Sequence, residues 1–216
     1  MAQHPQTSTP RGRHAPPLEV RKDRQRGRLF AAAAAVFARV GYADATAEAI
    51  AREAGMSKAT FYEHFDNKED CIIALFDAAI AVLVASMRAA GDAHEDKSAA
   101  ERIHATIRAM LQTLADFPDE SQTLLVEIVG AGPRAMSRRD AALDQVARYI
   151  DEVNIADVER GAAPRLRSPH DAFAVVGAVV ELASRQLRTG QPADIRELEP
   201  VIERLVLGLI RTGDPA

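Results

Sequence analysis

The chain has 216 residues, of which 47% are hydrophobic and 27% charged, with a single cysteine, no tryptophan and a formal net charge of −4. These figures describe an ordinary globular composition with enough apolar residues for a substantial core, and one cysteine excludes an intrachain disulfide framework. Alanine is abundant and aromatics make up only 5%, which favours helix over sheet, so the expected fold class is all-α.

The net charge conceals an asymmetry. Residues 1–72 carry 11 Lys/Arg against 9 Asp/Glu, and the rest carries 16 against 22. The basic surplus gathers at Arg11, Arg13, Arg21, Lys22, Arg24, Arg26 and Arg28, and such a local patch, rather than the whole-chain sum, decides contact with phosphates. The longest uncharged stretches, such as Ala78 to Met87, are about half a membrane span. The N-terminus lacks an apolar signal core, and a cytoplasmic location is expected.

In chain order, residues 1–20 are rich in Pro, Gln, Ser and Thr without a hydrophobic period, and are expected to form a disordered basic arm. It is either a solvated tail or a tracker of phosphates. From about Lys22, Leu29, Phe30, Ala33, Val36, Phe37 and Val40 recur at helical spacing. Gly41 is expected to end that helix in the left-handed conformation. Thr46 then caps a short helix that buries Ile50, Ala51 and Ala54.

Gly55-Met56-Ser57 reads as a tight turn: glycine ends one helix, methionine plugs the core and serine caps the next. The following helix, Lys58 to about Phe65, sets Ala59, Thr60, Tyr62 and His64 among buried Phe61 and Phe65. A fourth helix starts at Asp66-Asn67-Lys68-Glu69, with Asp66 and Glu69 at capping-box spacing, and runs to about Ala90. Further helices are expected near 98–116, 119–130 and 133–160. A linker from Gly161 to Pro169 precedes a helix over Asp171–Arg188. A second linker, Thr189 to Pro192, leads to a last helix with Pro200 in its first turn, ending near Arg211.

Two short helices joined by so tight a turn form a helix-turn-helix, whose second helix enters the major groove. Lys58, Ala59 and Thr60 are small or polar enough to let that helix approach bases, where lysine donates to guanine and methyl groups touch thymine. Thr46, Ser57, Tyr62, His64 and Lys68 suit phosphate contact, although Thr46 and Ser57 are also caps and a lone Lys68 is also a solvated lysine.

The run TAEAIAREAGMSKATFYEHFDNKED resembles the signature of TetR-type regulators: Thr46, Ile50-Ala51, Ala54-Gly55-Met56-Ser57, Thr60-Phe61-Tyr62-Glu63-His64-Phe65 and Lys68-Glu69, with Phe37 and Gly41-Tyr42 upstream. The resemblance covers roughly residues 22–76. Ala59 departs from it, standing where many members have glycine, which implies altered base preference. The resemblance implies about nine helices, with a three-helix DNA-binding domain over 21–68 and a helical effector-binding and dimerisation domain over 69–213. It further implies a homodimer that binds operator DNA as a repressor and leaves it when a small-molecule inducer binds.

The segment Ala172 to Leu182 is apolar almost all round, and the last helix carries one apolar stripe. Val175, Val179, Leu182, Leu198, Val201, Leu205 and Leu209 are therefore expected to build a two-fold four-helix interface, or else to complete the monomer core. Met110, Leu114, Phe173 and Val176 are candidate walls of an effector pocket, with His104 and Glu127 as candidate polar contacts. Arg134, Arg138 and Arg139 read as a solvated helix start or an anion contact. No phosphate loop, nucleophile elbow, HExxH or Cys/His cluster occurs, so no enzyme activity, metal or cofactor is expected. The rival reading is a small-molecule sensor or carrier of the same fold without specific DNA binding.

Overall fold

The computed structural model describes residues 18–211, and its regular structure among them is entirely helical. Nine α-helices follow in order: α1 (Leu18–Asp44), α2 (Ala47–Glu53), α3 (Lys58–Tyr62), α4 (Lys68–Asp92), α5 (Ala99–Asp116), α6 (Pro118–Leu125), α7 (Pro133–Glu159), α8 (Pro169–Thr189) and α9 (Glu199–Arg211). Short 3-10 turns, Glu127–Gly130 and Ile195–Leu198, precede α7 and α9. Most of the expected N-terminal arm, Arg11 and Arg13 included, lies outside the described residues. Its last three residues, 18–20, already belong to α1.

The first four helices close on one small core. Leu29, Ala33, Val36 and Phe37 of α1 meet Ile50 and Ala51 of α2, Phe61 of α3, Phe65, and Ile72 of α4, all buried. Rings pack in sequence, Phe61 to Phe65 at 5.4 Å and Phe65 to Phe30 at 5.9 Å, and the Arg26 guanidinium covers Phe30 and Phe65. Val40, expected on the apolar stripe, is exposed, since it falls beyond the stretch that the other helices cover.

Caps hold the short helices, which are too brief to persist alone. Thr46 Oγ1 accepts the amide of Ala49 at 3.1 Å, and Ser57 Oγ accepts that of Thr60 at 3.1 Å. Between them Gly55 has φ +64°, and the Arg28 guanidinium donates to the freed carbonyl of Ala54 at 2.6 Å. Met56 is partly buried against the core, as a plug should be.

Three local expectations are corrected. Gly41 has positive φ (77°) but ψ 160°, so it breaks the helix with an extended kink and helical structure resumes to Asp44. The box starting α4 is Asn67 with Asp70, not Asp66 with Glu69. Asn67 Oδ1 accepts the Asp70 amide and Asn67 Nδ2 donates to Asp70 Oδ2, each at 2.9 Å, leaving Glu69 free to meet Arg134 across the junction at 3.3 Å. The expected helix over 119–130 is divided, because Val126 leaves α6 at φ −119° and turns Glu127 toward α1.

The remaining helices form a bundle in which α4 packs along α5, α7 along α8, and α1 against α6. Helix α5 begins with a full capping box, Ser98 and Glu101. Helix α4 is, among the described residues, the one helix long and apolar enough to cross a membrane. Its Cys71, Ile72, Leu75, Phe76, Leu83 and Met87 are instead buried in the bundle.

Candidate nucleic-acid interface and effector cavity

Helix α3 presents one face to the core and one outward. Phe61 is fully buried, while Ser57, Lys58, Ala59 and Tyr62 are exposed and Thr60 and His64 half-buried. The Tyr62 ring stands edge-on against Phe61, centroids 5.5 Å apart, which props its hydroxyl outward. Lys58 is 3.9 Å from Glu48, with both side chains largely in water, so this pair holds the lysine only weakly. Thr60 Oγ1 shares a hydrogen bond with Ser57 Oγ at 3.0 Å, and His64 Nε2 lies 3.4 Å from Gln25 Oε1. Arg21, Lys22, Arg24 and Arg26 are exposed along the first turns of α1.

Lys68 does not fit the expected phosphate contact. Its ammonium donates to the carbonyls of Tyr42, Ala43 and Ala45 at 2.8, 2.9 and 3.0 Å and lies 4.5 Å from the Tyr42 ring centroid. An ammonium has three donors, and here all three close the carbonyl end of α1. Lys68 is a latch between α1 and α4.

The bundle encloses an apolar cavity of about 340 Å³. Phe76, Ile80, Leu83, Val84 and Met87 of α4 form one wall, Met110 and Leu114 of α5 a second, Leu143, Val146 and Ile150 of α7 a third, and Val175, Val176 and Val179 of α8 a fourth. Along α4 the lining runs from Phe76 to Gly91, which at 1.5 Å per residue is about 22 Å. Apart from Arg139 near the start of α7, polar groups gather at the end away from α1–α3: Arg102 and Thr106 of α5, and Tyr149, Asn154, Asp157 and Arg160 of α7. Burial pushes the Tyr149 phenol up, which keeps its hydroxyl a donor. Asn154 ties down the 161–168 linker, its Oδ1 accepting the Leu166 amide at 2.9 Å and its Nδ2 donating to the Pro164 carbonyl at 3.1 Å. Leu166 thereby enters the cavity wall.

Of the expected pocket residues, Met110, Leu114 and Val176 line this cavity and three do not. Phe173 is 45% exposed on the outer face of α8. His104 faces outward from α5 toward α9, with Nδ1 3.4 Å from Glu199 and 3.7 Å from Glu203. Glu127 lies at the junction with α1, where its Oε2 accepts the Tyr42 amide at 2.8 Å and its Oε1 accepts Gln122 Nε2 at 3.0 Å. The basic start of α7 also serves that junction, with Arg134 on Asp70 at 2.8 Å and Arg138 on Asp77 at 2.5 Å, while Arg139 reaches the cavity.

The expected interface residues divide likewise. Val175 and Val179 face the cavity, and Leu198 is buried in the monomer core. Val201 is exposed, Leu182 and Leu205 are half-buried, and Leu209 packs against the second core cluster around Val176. The open face of α8 is Phe173, Ala174, Gly177 and Glu181. Arg102, Thr106 and Asp157 were not anticipated. The available signal was spacing: Thr106 and Arg102 stand four and eight residues before Met110, on the same helical face.

Among the described residues no group of three or more His, Cys, Asp or Glu is placed to hold a metal ion. Residues 29–75 match the profile of the bacterial regulatory proteins of the tetR family. Over 88 residues the chain is 34% identical to the HTH-type transcriptional activator FasR of Mycolicibacterium smegmatis, a match covering 41% of this chain and 39% of that protein. Its fold resembles that of the fatty acid degradation regulator FadR from Bacillus halodurans (TM-score 0.77, 21% identity, covering 91% of this chain and 97% of that one). It also resembles the transcriptional regulator FadR from Bacillus subtilis, solved in complex with stearoyl-CoA (TM-score 0.73, 20% identity, 85% and 98% covered). At these identities the structural likeness is one of fold.

Proposed function

From the match of residues 29–75 to the tetR family of bacterial regulatory proteins, we propose that the chain is a cytoplasmic repressor of that family, released from its operator by a small apolar ligand. Residues 21–68 are the DNA-binding unit, and 69–213 the effector and dimerisation unit. Helix α3 reads bases through Lys58, Ala59 and Thr60, while Thr46, Ser57, Tyr62 and His64 lie toward phosphates.

The observation that carries this reading is the double membership of α4. Its first residue, Lys68, is bonded to the end of α1, and its middle turns line the cavity. A ligand that shifts α4 therefore bears on the helices that present α3, and an equilibrium is moved by such differential contact. One leaflet of a bilayer's hydrocarbon is about 15 Å deep, and the stretch of α4 that lines the cavity spans about 22 Å, a reach that suits a single long acyl chain. The stearoyl-CoA held by the B. subtilis FadR supports an acyl thioester as the ligand class.

Dimerisation through the open faces of α8 and α9, including Phe173, Leu182, Val201 and Leu205, is isologous and sets two α3 helices about 34–36 Å apart on a near-palindromic site. The test is binding of the protein to DNA from its own upstream region, by fluorescence anisotropy across a salt series and with added stearoyl-CoA. A specific site, an affinity falling steeply with salt and release by the thioester are expected. Ligand binding with no preference over scrambled DNA would sink the repressor reading in favour of a carrier. At the site itself, Tyr62→Phe weakens binding to all sequences alike, whereas Lys58→Ala changes which sequence is preferred.

A further inference from the structure

The polar end of the cavity holds a charge arrangement that packing alone does not call for. Arg102 is 7% exposed and Asp157 5%. Arg102 Nη2 donates to Asp157 Oδ1, and its Nη1 donates to the Lys97 carbonyl at 2.6 Å. The same Asp157 oxygen accepts Arg160 Nη2 at 2.5 Å. Two guanidinium groups thus share one carboxylate oxygen, and the surplus positive charge falls on Arg160, whose side chain is 45% exposed at the cavity's edge. Nearby acids do not cancel it from inside. Glu95 lies 4.0 Å from Arg160 with its side chain 76% exposed, and Asp92 on the rim is exposed as well, so water and salt screen both.

Burying an ion pair costs several kcal/mol per ion, and apolar side chains of similar volume serve a core as well or better. The pair is therefore not explained by stability. A guanidinium carries five N–H donors, so Arg102 keeps donors for another acceptor. Two hydroxyls face the same stretch of wall: a methyl placed on Gly91 would lie 3.6 Å from Thr106 Oγ1 and 4.0 Å from the Tyr149 hydroxyl. Thr106 is one helical turn from Arg102, and Tyr149 is on the helix that carries Asp157.

We infer that this end of the cavity is the head-group site of an anionic amphipath, whose anionic oxygen group takes Arg102 from Asp157 while Thr106 and Tyr149 donate further hydrogen bonds. The inference rests on the cavity being the effector pocket. Asp157 is the internal stand-in, keeping Arg102 paired while the cavity is empty and keeping Arg160 once the ligand arrives. One bound anion balances the surplus charge of the cluster. The chain of the ligand then runs along α4 toward Phe76, Leu124 and Leu125, at the end nearest α1–α3.

The experiment compares hexadecanoate, hexadecan-1-ol and hexadecanoyl-CoA as competitors for a fluorescent fatty-acid probe on the full chain. The native protein is expected to bind the acid about tenfold or more tightly than the alcohol, the gain of a charge-assisted hydrogen bond. The variant Arg102→Met with Asp157→Leu removes both buried charges and leaves the half-exposed Arg160 to water and Glu95. It should hold the alcohol as before and lose the preference for the acid. Tyr149→Phe, which disturbs no charge, should weaken the acid several-fold with an unchanged unfolding temperature. Equal binding of acid and alcohol by the native protein, or a preference that survives the double substitution, would overturn the site. If only the thioester binds, its loss in the double variant assigns the anion to a phosphate and upholds the site, and its retention overturns it. Failure of all three competitors would overturn the effector reading itself.

Discussion

The carboxylate of Glu127 accepts the backbone amide of Tyr42 at 2.8 Å, across 85 residues of sequence. The kink at Gly41 withdraws that amide from its helix, and Glu127, turned out of α6 by the break at Val126, supplies the missing acceptor. The bond joins the end of α1 to the element directly after Leu124 and Leu125, which line the cavity. Glu127→Ala is expected to cost about 1 kcal/mol, the net worth of a half-buried hydrogen bond, and to reduce the ligand-induced change in DNA affinity. Glu127→Gln, which keeps an acceptor oxygen, should restore most of both. Urea unfolding and DNA titrations with and without stearoyl-CoA measure the two effects, and a variant Glu127→Ala with unchanged coupling would count against a role for this bond in transmission.

Lys68 makes the same junction from the other side. Lys68→Met is expected to destabilise the protein by about 1–3 kcal/mol, because three carbonyls lose a charged donor. The salt slope of DNA binding should stay where it is, as Lys68 neutralises no phosphate. Lys68→Arg should rescue poorly, since a planar fork does not match three carbonyls converging on one point. A slope that drops by about one on removing the lysine would return it to the list of phosphate contacts.

The corrected outer face of α8 and α9 makes an oligomerisation prediction. Phe173→Arg combined with Val201→Arg places charge on two exposed apolar positions and is expected to give a folded monomer by sedimentation, with operator affinity greatly weakened. Val179→Ala, on the cavity side, should leave the dimer intact and alter ligand affinity. The reverse pattern would mean that the helices pair through the other face.

Cys71 is fully buried beside the α1–α3 core, and burial pushes its thiol from the ordinary 9.0 up to about 12. Thiol reagents at neutral pH should therefore ignore it in the native protein and label it at the unfolding rate in denaturant. The folded state binds this proton more tightly than the unfolded one. Its contribution to stability is full below pH 9 and is lost as pH rises toward 12, since there the unfolded thiol ionises first. Unfolding curves for Cys71→Ser, set against the native protein from pH 7 to 11, should differ in slope across that range.

Much of the helix-turn-helix unit was legible because its signals are local. The stripe from Leu29 to Phe37, the caps at Thr46 and Ser57 and the glycine at 55 each act within a few residues, and the helix-turn-helix follows from their spacing. The same locality explains the errors. Asp66 and Asn67 both qualify as caps, and which is used depends on where α4 begins, a choice set by Lys68 reaching the carbonyls of α1. Val40 completes a helical period that no neighbouring helix comes to cover.

The chain by itself determined an all-helical protein, the position of the second helix of its helix-turn-helix and the register of α5 that points Met110 and Leu114 inward. Tertiary structure alone decided which side of α8 meets the cavity and which stays open, because both sides are apolar and periodicity cannot rank two hydrophobic faces. It alone decided the partners of Lys68, Glu127, Arg102 and Asp157. A charged side chain reads as solvated until another helix, dozens of residues away, brings an acceptor or a counter-charge within 3 Å or so. Such pairings depend on where whole helices come to rest, and no short run of sequence encodes that.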